Sequence, residues 1–380
     1  MNPEQRLQLL QNIIGQARDQ EFPYEKRSKK NVNWTLYDIA QCNEIIDALD
    51  LIRDLVDAAA KRVNARSTPE KPGPGRPAID PSDIAKALLL QSYFGASNRV
   101  AEGLLGLLGP KLGIEDRFSY KTIERGYDRE AVNVILDEAM RISNAPVEGL
   151  EHVFSIDGSG TPTRMKQNYA HDRERQRKGR KGDEKGDGKG DGKDADKNDD
   201  SFPKGHRDYV YAVATVGTEY KLIASYQNSN DHSRGEMSFL RQAAEETKAL
   251  HPDMDMLCAD GIYANRPACE ILQELGITPR MLPKRNSTLK RKGVFTWTQM
   301  LMALLRDPQG WLRQYYLREA SETVNSMLKR RNPGPLRKRL DDRKLTEDLL
   351  RGLNHNVRRL CYLYYLIDLQ VLTKLRALAM

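Results

Sequence analysis

A run of charged residues and glycine in the middle of the chain limits what the chain can fold into. Between Arg173 and Ser201 no aliphatic side chain is larger than that of alanine, and Lys, Arg, Gly and Asp dominate. Such a segment cannot bury enough apolar surface to offset the entropy lost when a chain becomes ordered. We therefore predict a low-complexity, disordered insert over residues 173–204, with the folded core built from the segments on either side.

The hydrophobic period changes from helical to strand-like at about residue 150. Apolar residues recur at helical spacing within residues 1–66 and 81–146, and the proline and glycine residues between these two blocks exclude a continuous helix. We predict a helical N-terminal region (1–66), a Pro/Gly linker (67–80) and a module of short helices (81–146). Short helices joined by glycine-bearing turns are typical of helix-turn-helix proteins, so the module is a candidate for DNA binding.

Residues 150–335 alternate between β-rich and helical patterns. A short strand is predicted at residues 152–156, and a β-hairpin is predicted around the turn at 217–219. The order of these elements predicts a mixed α/β domain that carries the charged insert in one loop. Two further helical blocks are predicted at residues 298–331 and 345–380, and the second is a C-terminal helix.

Composition narrows the class of protein. The 380 residues include 61 Lys and Arg against 53 Asp and Glu, a formal charge of +8, which is compatible with a polyanionic partner. The four cysteines form no CxxC pair, which excludes a disulfide framework or a zinc ribbon as the organising principle. No apolar run reaches the length of a membrane span, and the first residues lack the layout of a secretory signal. We expect a cytoplasmic, nucleoid-associated protein.

Three acidic residues occur where predicted strands or a predicted helix could present their carboxylates to a common point. Asp157 and Asp260 each follow a predicted strand, and Glu322 lies in the predicted helix at 298–331. Carboxylates without a His/Cys cluster favour Mg²⁺ or Mn²⁺ over zinc. Each residue alone also has an ordinary explanation, because Asp-Gly after a strand is commonly a turn and Glu four residues after Arg is commonly a solvated pair. The hypothesis of a metal site therefore depends on the combination.

The segment around Glu322 carries a spaced motif. Tyr315, Arg318, Glu322 and Lys329 follow the pattern Y-x2-R-x3-E-x6-K, and on one continuous helix they would share a face. This pattern resembles the Y-R-E-K motif of DDE insertion-sequence transposases. The segments SIDGSG and CADGIYAN resemble the strand-end segments of that family that carry its two aspartates, and the resemblance covers roughly residues 80–331.

The resemblance implies a fold, a site and an activity. The fold would be an RNase H-like catalytic domain, compact because only 61 residues separate Asp260 from Glu322. Its catalytic and metal-binding residues would be Asp157, Asp260 and Glu322, with two Mg²⁺ or Mn²⁺ ions, and its supporting DNA contacts Tyr315, Arg318 and Lys329.

The implied activity is cleavage of DNA at the ends of a mobile element and transfer of the freed strand into target DNA. The partners would be terminal inverted repeats and target DNA, bound by a homodimer. Two alternatives remain: a metal-dependent DNA nuclease of the same fold without strand transfer, and an inactive DNA-binding repressor.

Basic clusters flank the predicted Glu322 helix. Residues 275–306 contain seven Lys/Arg and no Asp or Glu, and residues 329–344 contain eight Lys/Arg and two Asp. Such clusters bind a phosphate backbone by releasing counterions, although a merely solvated basic surface is the alternative. We expect DNA contacts from Arg285, Lys290 and Arg291, and from Lys121 and Arg125 on a short helix of the 81–146 module.

Overall fold

The fold is taken from a computed structural model that describes residues 2–23, 32–66, 79–166, 207–290 and 292–367. The predicted insert at 173–204, most of the predicted linker, the residue Arg291 and the last part of the predicted C-terminal helix lie outside these residues.

Within the described residues five strands form one mixed sheet in the order β3-β2-β1-β4-β5. The first three strands are antiparallel, whereas β4 and β5 run parallel to β1. The chain is therefore a mixed α/β protein with a helical N-terminal region, as predicted, and the predicted hairpin is formed by β2 and β3. The strands are β1 (Val153–Lys166), β2 (Arg207–Gly217), β3 (Ile223–Ser229), β4 (Met256–Ala259) and β5 (Thr278–Met281).

Helices cover both faces of this sheet. In the described residues none is both long and apolar enough to cross a membrane. The α-helices are α1 (Pro3–Arg18), α2 (Trp34–Arg66), α3 (Pro81–Tyr93), α4 (Asn98–Leu108), α5 (Tyr120–Gly126), α6 (Glu130–Ile142), α7 (Met237–Leu250), α8 (Arg266–Glu274), α9 (Phe295–Arg306), α10 (Pro308–Tyr315), α11 (Glu319–Arg331) and α12 (Asp341–Leu366).

The first strand is longer than the sequence predicted. Its parallel pairing with β4 stops at Ile156 opposite Ala259, but its antiparallel pairing with β2 continues to Pro162 opposite Tyr209. Asp157 is therefore an internal strand residue, and the expectation that it ends the strand is wrong. The alternative explanation of Asp157 and Gly158 as an ordinary turn is wrong for the same reason.

The predicted helix at 298–331 is broken twice. Asp307 accepts a hydrogen bond from the backbone N–H of Gly310, and Pro308 lacks an N–H group, so a new helix begins there. A 3₁₀ turn, Tyr316–Arg318, then separates α10 from α11. The motif residues are thus divided between elements, and the expectation that all four share one face of a continuous helix is wrong.

Two hydrophobic cores lie on opposite faces of the sheet. One contains side chains of α2, α3, α6 and α12 together with Ala214 and Val216 of β2. The other contains side chains of α1, α7, α8, α9 and α10 together with Phe154 and Ile156 of β1. The arrangement is three layers, with the sheet in the middle. The two helices of the region 1–66 consequently contribute to different cores.

Candidate active site

Asp157 and Asp260 lie beside each other where the parallel pairing of β1 and β4 ends. The last pair is Ile156 with Ala259; Asp157 is the next residue of β1, and Asp260 directly follows β4. Both are half-buried, and Asp260 Oδ1 accepts a hydrogen bond from the backbone N–H of Ile262 at 2.7 Å. Because β4 ends here while β1 continues, the two carboxylates occupy a notch at the edge of the parallel part of the sheet.

Helix α11 lies against β1 beside this notch. Asn325 Nδ2 donates a hydrogen bond of 2.9 Å to Asp157 Oδ2. Burial raises the pKa of Asp157, the hydrogen bond from Asn325 opposes this shift, and the negative charges of Glu236 and Glu322 add to it. Asn325 therefore both orients Asp157 and favours its ionised form. Asn325 is not among the residues predicted from the sequence, although it lies one helical turn after Glu322.

Glu322 is half exposed and forms an ion pair with Arg318, the residue four positions earlier. Arg318 also interacts electrostatically with Asp260, and its guanidinium lies 5.4 Å from the ring centroid of Tyr315. Arg318 therefore connects Glu322 with Asp260. In the part of the chain that the structure describes, no three His, Cys, Asp or Glu side chains are grouped so that they could hold a metal ion. The metal-binding role of Asp157, Asp260 and Glu322 stays a prediction.

A cavity of about 550 Å³ opens beside Asp260. Its lining includes three cationic side chains, those of Arg18, Lys284 and Arg318. Arg18 comes from the end of α1, where its Nε donates to the carbonyl of Pro283 at 2.7 Å. Cations around an acidic residue fit a phosphate group that must approach that residue. Arg18 is not among the residues predicted from the sequence, because only the packing of α1 against the sheet layer brings it here.

Tyr315 is 5% exposed, and its ring is stacked on that of Trp311 with centroids 5.6 Å apart. Burial raises its pKa, so the hydroxyl stays protonated. The structure places Tyr315 in the wall of the Asp260 cavity, and its predicted contact with DNA stays a prediction. Lys329 is exposed and lines a smaller cavity of about 200 Å³ together with Asn325.

A cleft of about 840 Å³ lies between the helical module and the connection from α11 to α12. Exposed Arg164, Arg337 and Arg339 are among its lining residues. Buried Lys338 forms an ion pair with Glu124, and its ammonium lies 3.8 Å from the ring centroid of Tyr127. We call this feature the basic cleft. It contains part of the cluster at 329–344 that the sequence identified.

The other predicted DNA contacts lie on separate surfaces. Lys121 and Arg125 are exposed on α5. Arg285 and Lys290 are exposed in the segment after β5, where Arg285 forms an ion pair with Asp19. Their roles stay predictions.

The chain is similar over most of its length to a known protein. No family model matches the chain. Over 284 residues it is 27% identical to a protein of Archaeoglobus fulgidus described as a probable transposase for insertion sequence element ISA1214. The similarity covers 74% of this chain and 76% of that protein. The similarity therefore spans about three quarters of each protein.

Proposed function

We propose that the protein is a DDE transposase that cleaves DNA at the ends of an insertion sequence and transfers the freed strand into target DNA. One observation carries the proposal: Asp260 directly follows β4 beside Asp157 of the parallel strand β1, and α11 lies against Asp157 through a hydrogen bond from Asn325 and the negative charge of Glu322. The strand order, three antiparallel strands followed by two parallel ones, supports an RNase H-like catalytic domain. The relative described as a probable transposase supports the same activity.

The donor set fits a divalent cation that prefers oxygen ligands. Asp157, Asp260 and Glu322 would hold it, and Glu322 would first have to leave its ion pair with Arg318. Two Mg²⁺ or Mn²⁺ ions bound there would activate the attacking water or 3′-hydroxyl and stabilise the leaving oxygen of a phosphodiester.

The remaining residues of the site orient a carboxylate or bind the phosphates of DNA. Asn325 fixes the carboxylate of Asp157. Arg18, Lys284 and Arg318 bind phosphate oxygens of the strand that enters the cavity beside Asp260. Because these three cationic side chains are already in place, less entropy is lost when the scissile phosphate is positioned.

The basic cleft provides the approach for DNA. Asn332, Pro333 and Gly334 line both the cleft and the smaller cavity that contains Asn325. A strand bound in the cleft would therefore adjoin the cavity lined by Asn325, the residue that hydrogen-bonds Asp157. Joining two element ends requires two active sites, so we propose that a homodimer forms on DNA.

The test uses a supercoiled plasmid that carries the DNA flanking the gene, incubated with Mn²⁺ and the full-length protein. We expect nicks at defined positions near inverted repeats, and no nicks with Asp157→Asn. Glu322→Gln should also abolish cleavage but leave DNA binding nearly intact, because the binding charge lies elsewhere. Binding without any cleavage by the wild type would favour the repressor, and cleavage without a joined product would favour the nuclease.

A further inference from the structure

Helix α2 carries an exposed apolar stripe on its first half. Ile39, Cys42 and Ile46 follow one another at intervals of three and four residues, which places them on one face of the helix. Ile39 is 41% exposed, Ile46 is 52% exposed, and Cys42 is exposed as well. Single exposed apolar residues are ordinary, but a row of them along one helix face indicates a surface that binds another apolar element. We call this row the α2 stripe.

Helix α12 ends beside α2, on the side opposite to the α2 stripe. The ring of Tyr362 on α12 is stacked on that of Tyr37 with centroids 5.4 Å apart. At 3.6 residues per turn, Tyr37 lies about half a turn around α2 from the stripe. Helix α12 ends at Leu366, and Ile367 has a non-helical φ of −134°. The chain that follows therefore starts close to α2.

This following chain, residues 368–380, has the apolar side chains that the α2 stripe lacks as neighbours. Among the segments outside the described residues, and apart from Met1, it alone contains Leu, Ile, Val or Met. Its apolar residues recur at the spacing of one helix face. They are Val371, Leu372, Leu375, Leu378 and Ala379. The sequence of the segment therefore predicts an amphipathic helix with one apolar face.

The charges of the two elements are complementary. Residues 34–52 of α2 contain four acidic residues and no Lys or Arg. Residues 369–380 contain Lys374 and Arg376 and no acidic residue. On a helix these two cations would lie on either side of the apolar face, and exposed Asp38 borders the α2 stripe. Opposite charges at the edges of two apolar faces favour their association and fix its register.

The segment is also long enough to reach the stripe. Passing around half of a helix about 10 Å wide takes about 16 Å of chain. An extended chain covers about 3.3 Å per residue, so about five residues starting at Ile367 suffice. The remaining residues, 372–380, would span about 13 Å as a helix, and the stripe from Ile39 to Ile46 spans about 10 Å. The two lengths match.

We propose that the segment 368–380 folds back on its own chain and packs its apolar face on the α2 stripe. Leu375, in the middle of the apolar face, then lies against Cys42, in the middle of the stripe. The inference goes beyond the proposed function, since it concerns neither the cavity beside Asp260 nor the basic cleft. The packing covers an apolar surface that would otherwise bind other chains.

The first test uses Cys42, which is exposed, whereas the other three cysteines are buried. Full-length Leu375→Cys is oxidised with copper phenanthroline, and the linked peptides are identified by mass spectrometry. We expect a disulfide between positions 42 and 375 of one chain. A disulfide requires Cβ atoms within about 4.5 Å, so Leu375→Cys should cross-link at least about tenfold faster than Thr373→Cys. Thr373 is the matched control because it would lie on the opposite face of the helix.

The results of the oxidation separate the possible occupants of the stripe. Equal rates for Leu375→Cys and Thr373→Cys, or no disulfide in either variant, would overturn the packing. A disulfide that joins two chains, seen as a dimer on a non-reducing gel, would assign the stripe to a second copy and also overturn the proposal.

A second test needs no added cysteine. Trypsin cuts after Lys374 and Arg376 only when the segment is released from the surface. Ile46→Asp places a charge in the stripe and should speed these two cuts by about tenfold, since it removes the burial of one large apolar side chain. Leu107→Asp, which replaces a 76% exposed residue of α4, is the matched control and should leave the rate unchanged. Circular dichroism checks the fold of both variants, and a wild-type rate in Ile46→Asp would overturn the proposal.

Discussion

Gly158 is a residue whose lack of a side chain has a clear reason. A Cβ atom there would overlap the hydroxyl of Tyr211 and lie 2.8 Å from Oε1 of Glu236. The hydrogen bond that the hydroxyl of Tyr211 donates to Glu236 therefore occupies the space that the side chain of any other residue would need.

We expect Gly158→Ala to lower the free energy of unfolding by about 1–3 kcal/mol, the usual cost of overpacking. Urea denaturation followed by circular dichroism measures it. Gly160→Ala, on the same strand, is the matched control, because its Cβ would approach only the ring of Tyr209, at 3.3 Å. Equal stability of the two variants would show that the side chains around Gly158 make room for a Cβ atom without lowering the free energy of unfolding.

Asn325 sets both the orientation and the ionisation of Asp157. Asn325→Ala removes a hydrogen bond that lowers the pKa of Asp157. Cation binding requires the ionised carboxylate, so we expect cleavage to fall by about 10–100-fold. The acid limb of the rate–pH profile should also move to higher pH. Ser326 is an exposed neighbour on α11, and Ser326→Ala should change neither the cleavage rate nor the acid limb of the profile. An acid limb that stays in place would refute the role in ionisation.

The sequence identified the carboxylates of the candidate site together with Tyr315 and Arg318, which line the cavity beside Asp260, but it did not identify Asn325, Arg18 or Glu236. Asn325 lies one helical turn after Glu322, so its position carried a signal that could have been used. Arg18 and Glu236 had no such signal, because nothing in local spacing relates them to Asp157 or Asp260. Only the docking of α1 and α7 on one face of the sheet brings them there.

At the scale of elements, alternation of apolar patterns predicted the hairpin and the order of strands and helices after it. It failed for β1, since Gly158 and Gly160 look like a turn in the sequence but pair with β2 in the sheet. It also failed for α9 to α11, where the apolar stripe continues across a break at Pro308. Pairing with β2 keeps Gly158 and Gly160 in the strand, and capping by Asp307 ends one helix and starts the next.

Helix α1 offers a stability test with an internal control. Leu10 is 0% exposed and packs in the core that covers one face of the sheet, whereas neighbouring Leu9 is 39% exposed. We expect Leu10→Ala to cost about 2–5 kcal/mol and Leu9→Ala to cost less than about 1 kcal/mol. Chemical denaturation of both variants measures the difference. A small effect at Leu10 would show that α1 contributes little to the folded state.

At the scale of the whole molecule, positive charge is concentrated in the basic cleft. We expect Arg339→Ala to weaken DNA binding for all sequences alike, and to reduce the slope of log affinity against log salt by about 1. Fluorescence anisotropy at several salt concentrations measures both effects. Arg6→Ala removes an exposed arginine from α1, outside the cleft, and should leave the slope unchanged. The same slope in the two variants would place the DNA path elsewhere.

Helix α12 is synthesised late, but it packs against helices that are synthesised early. Its Leu350, Leu353 and Val357 complete a core to which earlier helices, among them α2, α3 and α6, and one face of the sheet also contribute. During synthesis the ribosome releases those earlier elements well before α12 exists, so their apolar faces remain uncovered. We conclude that the helical layer closes only after almost all of the described chain has emerged. A chain cut short before α12 would expose this surface, making it a natural substrate for chaperones and proteases.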